Sequence, residues 1–208
     1  MAHRVIALLL AALPLAALTA GCTVTGESVT VHLAERPEWA AGDSWTYRGQ
    51  GRDGAYTITR KVLREGLFEG RPAYEVEAGN VHYWYTKQLG YLARVRGDKT
   101  ERLATPPEDW QWPLQVGKSW SATVDWTDRS EQQERRYVLT GVWTVEAYED
   151  VKTPAGTFKA FKVSRQEIES GASQEFWYSA AVKGWVKVRA RDTADGTYQE
   201  ELTAYQTK

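Results

Sequence analysis

The stretch SWSATVDW, Ser119 to Trp126, limits what this chain can become more than any other. Trp120, Ala122, Val124 and Trp126 take every second place, and Ser119, Ser121, Thr123 and Asp125 fill the places between. A period of two matches the pleat of a strand, which sends successive side chains to opposite faces, whereas a helix needs three-to-four spacing. The same alternation runs through Trp45 and Tyr47, through Tyr56 and Ile58, and through Tyr137, Leu139, Trp143 and Val145, where Gly141 marks a bulge or bend. Turn residues separate these runs at 51–54, 69–72, 154–156, 170–171 and 194–196. Beyond the N-terminal segment no stretch holds a helical stripe over three turns. The expected class is all-β, with about eleven antiparallel strands in one large curved sheet or open half-barrel.

Two landmarks occur twice, in the same order. Gly42-Asp43-Ser44-Trp45-Thr46 is echoed by Gly117-Lys118-Ser119-Trp120-Ser121. Tyr83-Trp84-Tyr85-Thr86, followed by Gly90-Tyr91-Leu92, is echoed by Phe176-Trp177-Tyr178-Ser179, followed by Gly184-Trp185-Val186. The echo suggests one domain over 37–208 built from two meanders, 42–96 and 117–191. The stretch 97–116, with three prolines and with Trp110 and Trp112, is then an irregular loop joining them. A meander alone leaves an apolar face and a bare edge, so the two halves are expected to share one sheet.

The chain opens MAHRVIALLLAALPLAALTAGC, with Arg4 ahead of an apolar run and the small pair Ala20-Gly21 before Cys22. That is the pattern of a secretory signal over 1–21, too short to span a membrane before polar residues begin at Thr23. Cys22 is the single cysteine of the chain. Thr19-Ala20-Gly21-Cys22 resembles the lipobox of bacterial lipoproteins, with Thr19 where that pattern most often has Leu. The resemblance implies cleavage before Cys22, acyl chains on it, and membrane attachment through them. Two or three chains hold a protein stably where one does not, because each buried methylene contributes about 0.8 kcal/mol. Residues 22–36 then read as a tether leading into a first strand, with Val29, Val31 and Leu33 alternating with Thr30 and His32. The expected location is the bacterial cell envelope. Thr23 in place of an Asp favours the outer membrane where the host has one. Twenty-six basic against 27 acidic residues leave no electrostatic basis for a nucleic-acid partner.

VKTPAGTFKAFKV (Val151 to Val163), PLQVGKSW (Pro113 to Trp120) and WYSAAVKGWVKV (Trp177 to Val188) resemble the TapB-like family of bacterial lipoproteins and periplasmic β proteins. Those motifs are turns, strand entries and aromatic staples, and none is a catalytic signature. The resemblance implies a strand-rich build similar to the open half-barrels of lipoprotein carriers, which hold acyl chains against a concave apolar face. Fold by itself does not transmit function.

Catalytic chemistry finds little to work with. The mature chain has His32 and His82 and no G-x-S-x-G elbow, and neither histidine stands at metal-ligand spacing. Glu75, Glu77, Glu146, Glu149 and Asp150 present no preferred pair for glycoside hydrolysis. No metal or other cofactor is expected. The anomaly is aromatic: ten Trp and 11 Tyr against four Phe, with large rings on both faces of the strands around Trp84 and Trp177. Trp and Tyr suit surfaces that are part apolar, part wet. Three readings stand side by side: rings filling a core, a concave pocket for an acyl chain, and a stacking platform for sugars. Candidate ligand-binding residues are Trp84, Trp177, Trp185, Trp110 and Trp112. Lys187, Arg189 and Arg191 join them, expected on one strand face with Trp185 and suited to anionic headgroups or to protecting a sheet. The expected function is a non-enzymatic, membrane-anchored lipoprotein that binds an apolar ligand or an envelope protein. A glycan-binding or scaffold module is the alternative.

Overall fold

The computed structural model describes residues 30–129 and 133–208. Cys22, the signal stretch and the tether up to residue 29 lie outside the described residues. Val31–Lys208 forms one unit.

The strands are β1 (Ser44–Gly51), β2 (Gly54–Phe68), β3 (Arg71–Ala78), β4 (Val81–Thr86), β5 (Tyr91–Arg96) and β6 (Lys99–Glu108). They continue as β7 (Ser119–Arg129), β8 (Glu134–Thr153), β9 (Gly156–Glu167), β10 (Ser173–Ser179), β11 (Gly184–Thr193) and β12 (Gly196–Gln206). A 3-10 turn, Ala180–Val182, joins β10 to β11. Each strand pairs antiparallel with the next, and β1 also pairs with β12 from Ser44↔Gln206 to Gln50↔Gln199. The sheet therefore closes into a barrel of twelve strands; the count is close to the expected eleven, but the sheet is not the expected open sheet or half-barrel. Closure removes both bare edges, whose unpaired backbone groups would otherwise template aggregation.

Strand β6 lies inside the stretch expected to be an irregular loop. Its pattern is hidden because Arg102 and Ala104 are buried on one face and carry no simple apolar alternation. Pro106 and Pro107 sit beyond the β6–β7 ladder, which runs from Arg102↔Asp128 to Thr105↔Asp125, so they break no bond there. The expected strand around Val29–Leu33 is absent over its described part: Val31 and Leu33 are exposed, and only Ala34 pairs, as an isolated bridge to Leu114. Nor does Gly141 bulge, since its register with Ala122 and Glu167 continues unbroken.

The two six-strand runs carry the same details at matched places. Gly42 and Gly117, both at positive φ, donate N–H to Val62 O and Val145 O at 2.8 Å each. The register shifts at Val62/Arg64 in β2 and at Val145/Ala147 in β8. It shifts again at Trp84/Tyr85 in β4 and at Trp177/Tyr178 in β10.

Twelve strands about 4.8 Å apart set a backbone-to-backbone diameter of about 18 Å before tilt widens it, whereas side chains alone just fill a barrel of about eight strands. This barrel uses large rings and a floor. Trp39, ahead of β1, and Trp110, after β6, pack across one end. Trp39 reaches Trp45, Tyr74, Tyr85 and Trp185, and Trp110 reaches Trp143, Phe176 and Trp185. At the far end the β11–β12 turn bridges the mouth, because Asp195 meets Arg94 and Arg102 on β5 and β6.

Candidate functional site

The outward-facing tryptophans have structural partners. Trp84 is 7% exposed and packs with Ala73, Leu92 and Ala93, with the Phe68 ring 5.2 Å away and Arg64 over its own ring at 5.5 Å. Trp177 donates its indole N–H to Glu149 at 2.7 Å and is ringed by Lys162, Lys187 and Arg189 at 5.4–5.8 Å. Neither lines the lumen. Lys187 pairs with Glu201 at 2.8 Å, and Arg189 lies 3.8 Å from Glu175. Arg189 and Arg191 border an outer concavity of about 270 Å³ with Ser164, Gln166, Ser173 and Glu175.

The expectation that Trp185 shares a face with Lys187, Arg189 and Arg191 fails at one residue. Trp177 pairs with Lys187 while Tyr178 pairs with Trp185, so Val186 is an extra residue in β11. A bulge of that kind reverses the face on which preceding side chains stand. Lys187 goes outward over Trp177, and Trp185 goes inward to Trp39, Trp110 and Phe176. The bulge in the first half does the same for Tyr91, which pairs with Tyr85 and faces Trp126 at 5.4 Å.

The inner wall thus has two aromatic patches on opposite sides, Tyr83, Tyr85, Tyr91 and Trp126 on one and Phe176 and Trp185 on the other. All six point inward and are half-buried, and Tyr83, Tyr85, Phe176 and Trp185 pack against the buried core. Trp39 links the patches at the floor. Trp112 stacks on Trp110 and donates to Gln88 O, so it belongs to that floor and not to the wall.

Tyr91 Oη, Trp126 Nε1 and Trp185 Nε1 are buried and bond to nothing in the protein. Each such donor costs about 1–3 kcal/mol. Trp120 Nε1 is also unbonded, but its ring lies flat on Trp143 within the core. Burial pushes the Tyr85 and Tyr91 phenols well above their ordinary range, with Arg60 and Arg102 respectively pulling the other way, so both stay protonated.

The arginines near these rings are spent on carboxylates. Arg60 holds Glu200 through two bonds of 2.8 and 3.0 Å, and Tyr56 donates to the same carboxylate. Arg102 holds Asp128 at 2.6 Å and Asp195 at 2.9 Å. Arg94 reaches Glu101 and Asp195. Arg165 is 4% exposed and pairs with Glu108 at 2.9 Å and Glu167 at 2.6 Å, while the Trp143 indole N–H also donates to Glu108.

The residues weighed for catalysis are likewise placed. His82 bonds Glu75, which also holds Arg64, and His32 lies against Tyr148. Glu146 holds Lys162 and Asp150 holds Lys159. Among the described residues no three His, Cys, Asp or Glu side chains group as a metal site. The sequence reading passed over Tyr91 and Trp126. Both were within reach: Tyr91 occupies the place in the first echo that Trp185 holds in the second, and Trp126 shares the Trp120 face.

No family model matches this chain, and no curated protein matches it. Solved structures do. One is a Bacteroides fragilis protein assigned as exported, with a YmcC-like fold, at 12% identity and TM-score 0.50; the match covers 84% of this chain and 100% of that one. A second is the hypothetical lipoprotein YmcC of Escherichia coli, at 11% identity and TM-score 0.45, covering 78% of this chain and 84% of that one. A third, assigned as a lipoprotein, is from Parabacteroides distasonis, at 14% identity and TM-score 0.40, covering 83% and 99%. The first likeness shows the fold: this chain is similar in architecture to a protein of the YmcC-like fold.

Proposed function

We propose that this protein is an envelope lipoprotein, anchored through Cys22, whose barrel holds an amphiphilic ligand in its aromatic lumen. The observation that carries the reading is the inner wall itself. Tyr83, Tyr85, Tyr91, Trp126, Phe176 and Trp185 point inward yet keep accessible surface, in a barrel wider than the eight-stranded ones that side chains alone just fill. Pockets that are mostly apolar with a few placed polar groups are the usual form of a small-molecule site. On this reading the outer rings Trp84 and Trp177 serve packing, the two six-strand runs are copies of one meander, and the chain is kin to the TapB-like lipoproteins. The name of the first structural neighbour, a protein assigned as exported, supports the envelope assignment.

Native mass spectrometry of the protein extracted in mild detergent from its own cells tests both parts. Acyl mass on Cys22 with additional non-covalent mass is the expected result. An acylated protein that carries nothing, and whose tryptophan fluorescence stays flat through titration with acyl amphiphiles, sinks the lumen reading. Outward rings gripping cell-wall glycan are the competing reading, and a pull-down on insoluble cell-wall material would reveal it.

A further inference from the structure

We infer that the lumen ligand is a neutral amphiphile bearing acceptor oxygens, an ester or amide of an acyl chain, and not a free fatty acid or a phosphate. This rests on the lumen reading above and specifies its chemistry.

The argument is one of unmet valence. A carboxylate or phosphate ligand needs a cation to receive it. Of the guanidinium groups beside the inner rings, Arg60 is taken by Glu200, Arg102 by Asp128 and Asp195, Arg94 by Glu101 and Asp195, and Arg165 by Glu108 and Glu167. Four arginines thus face six carboxylates. The field they set is negative, and an incoming anion would have to displace a carboxylate while meeting those that remain. Arg94 Nε stands 3.2 Å from Glu101 without a hydrogen bond to it; the other unsatisfied donors among the inner rings are neutral, Tyr91 Oη, Trp126 Nε1 and Trp185 Nε1. Indole N–H groups only donate, and the Tyr91 phenol is held protonated by burial. Their complement is a carbonyl or ether oxygen.

The placement fits a ligand that reaches across the lumen. Tyr91 is on β5 and Trp185 on β11, six strands apart in either direction round a twelve-strand barrel, so they face each other. Each is turned inward by a register shift against the strand before it, Trp84/Tyr85 in one half and Trp177/Tyr178 in the other. Trp126 stands beside Tyr91, under Arg102. Rings cover the three donor atoms, so a ligand oxygen reaches them by parting the rings, and the bonds it makes then offset that movement.

The test compares the glycerol monoester of lauric acid with laurate, below their micelle concentrations, by tryptophan fluorescence and calorimetry on the full acylated protein. The monoester is expected to bind about tenfold or more tighter than the anion. Tyr91→Phe, Trp126→Phe and Trp185→Phe are each expected to weaken the monoester about three- to tenfold, the worth of one hydrogen bond. Tyr91→Phe, which removes a hydroxyl and no ring, should leave unchanged the binding of dodecane, which has no acceptor. Trp84→Phe, outside the wall, is the control that should change neither. Laurate binding as tightly as the monoester, or the three variants binding the monoester like the parent, overturns the inference while the lumen reading stands. No binding of any probe overturns both. Circular dichroism and the unfolding midpoint show that each variant is folded, and Tyr91→Phe, which removes only one hydroxyl, decides if an indole variant is not.

Discussion

Gly141 carries a hydrogen where a methyl group would stand 2.2 Å from Glu108 Oε1 and 3.0 Å from Arg165 Nε. The glycine that reads in sequence as a bend is in fact the space in which a buried ion pair sits. Gly141→Ala is expected to cost about 1–3 kcal/mol by overpacking, seen as a lower urea midpoint with an unchanged slope. Removing the cation is worse, because it strands two buried carboxylates. Arg165→Met is expected to cost about 3–5 kcal/mol, and an unfolding midpoint equal to the parent's would show that the pair bears no structural load. Residue chemistry also explains why the sequence pattern puts Trp185 on the wrong face. The alternation of Trp185, Lys187, Arg189 and Arg191 is real in the sequence, but one extra residue, Val186, interrupts its meaning. Nothing local distinguishes a bulge valine from an ordinary strand valine.

The β11–β12 turn is the element whose behaviour depends most on charge. Its Asp195 shares Arg102 with Asp128, and the Tyr137 hydroxyl donates to Asp128 at 2.8 Å. Burial alone would raise the Asp128 pKa, but the bonds from Arg102 and Tyr137 outweigh it and hold the carboxyl below its ordinary value. Burial and the Asp128 carboxylate push the Tyr137 phenol up to about 12. A carboxyl depressed in the folded state stabilises it above the unfolded value, near 3.9, and that contribution disappears as pH falls through the folded value. The difference in melting temperature between the parent and Asp128→Asn is therefore expected to be largest near neutral pH and to shrink below about pH 4. A difference independent of pH would remove the charge argument. Strand β6 shows the converse problem of legibility. Its buried Arg102 and its terminal prolines read as loop because the ion pairs that make an arginine tolerable inside come from β7 and the distant β11–β12 turn.

Across the whole molecule, the aromatic excess follows from barrel size. Twelve strands enclose more space than aliphatic side chains fill, and Trp and Tyr are the residues large enough to pave the wall and close the floor. The barrel closes through its own β1–β12 ladder, so its folding needs no acyl chain. Cys22→Ser is expected to move the protein from the membrane to the soluble fraction while leaving its unfolding midpoint within error, as cell fractionation and thermal melts would show. A variant that remains with the membrane would locate the attachment elsewhere.

The sequence by itself determined the all-β class, the positions of most strands and turns, and the two echoes that fall on β1 and β7 and on β4–β5 and β10–β11. These are short-range properties: alternation, turn chemistry and local spacing. Only the tertiary structure decided that the sheet closes, that Trp84 and Trp177 face outward while Tyr91, Trp126 and Trp185 face inward, and which arginines are neutralised. Each of those turns on partners far apart in the chain, as when Tyr56 meets Glu200 or Arg102 meets Asp195. A period of two tells which side chains share a face, but pairing and bulges decide which face is the inside.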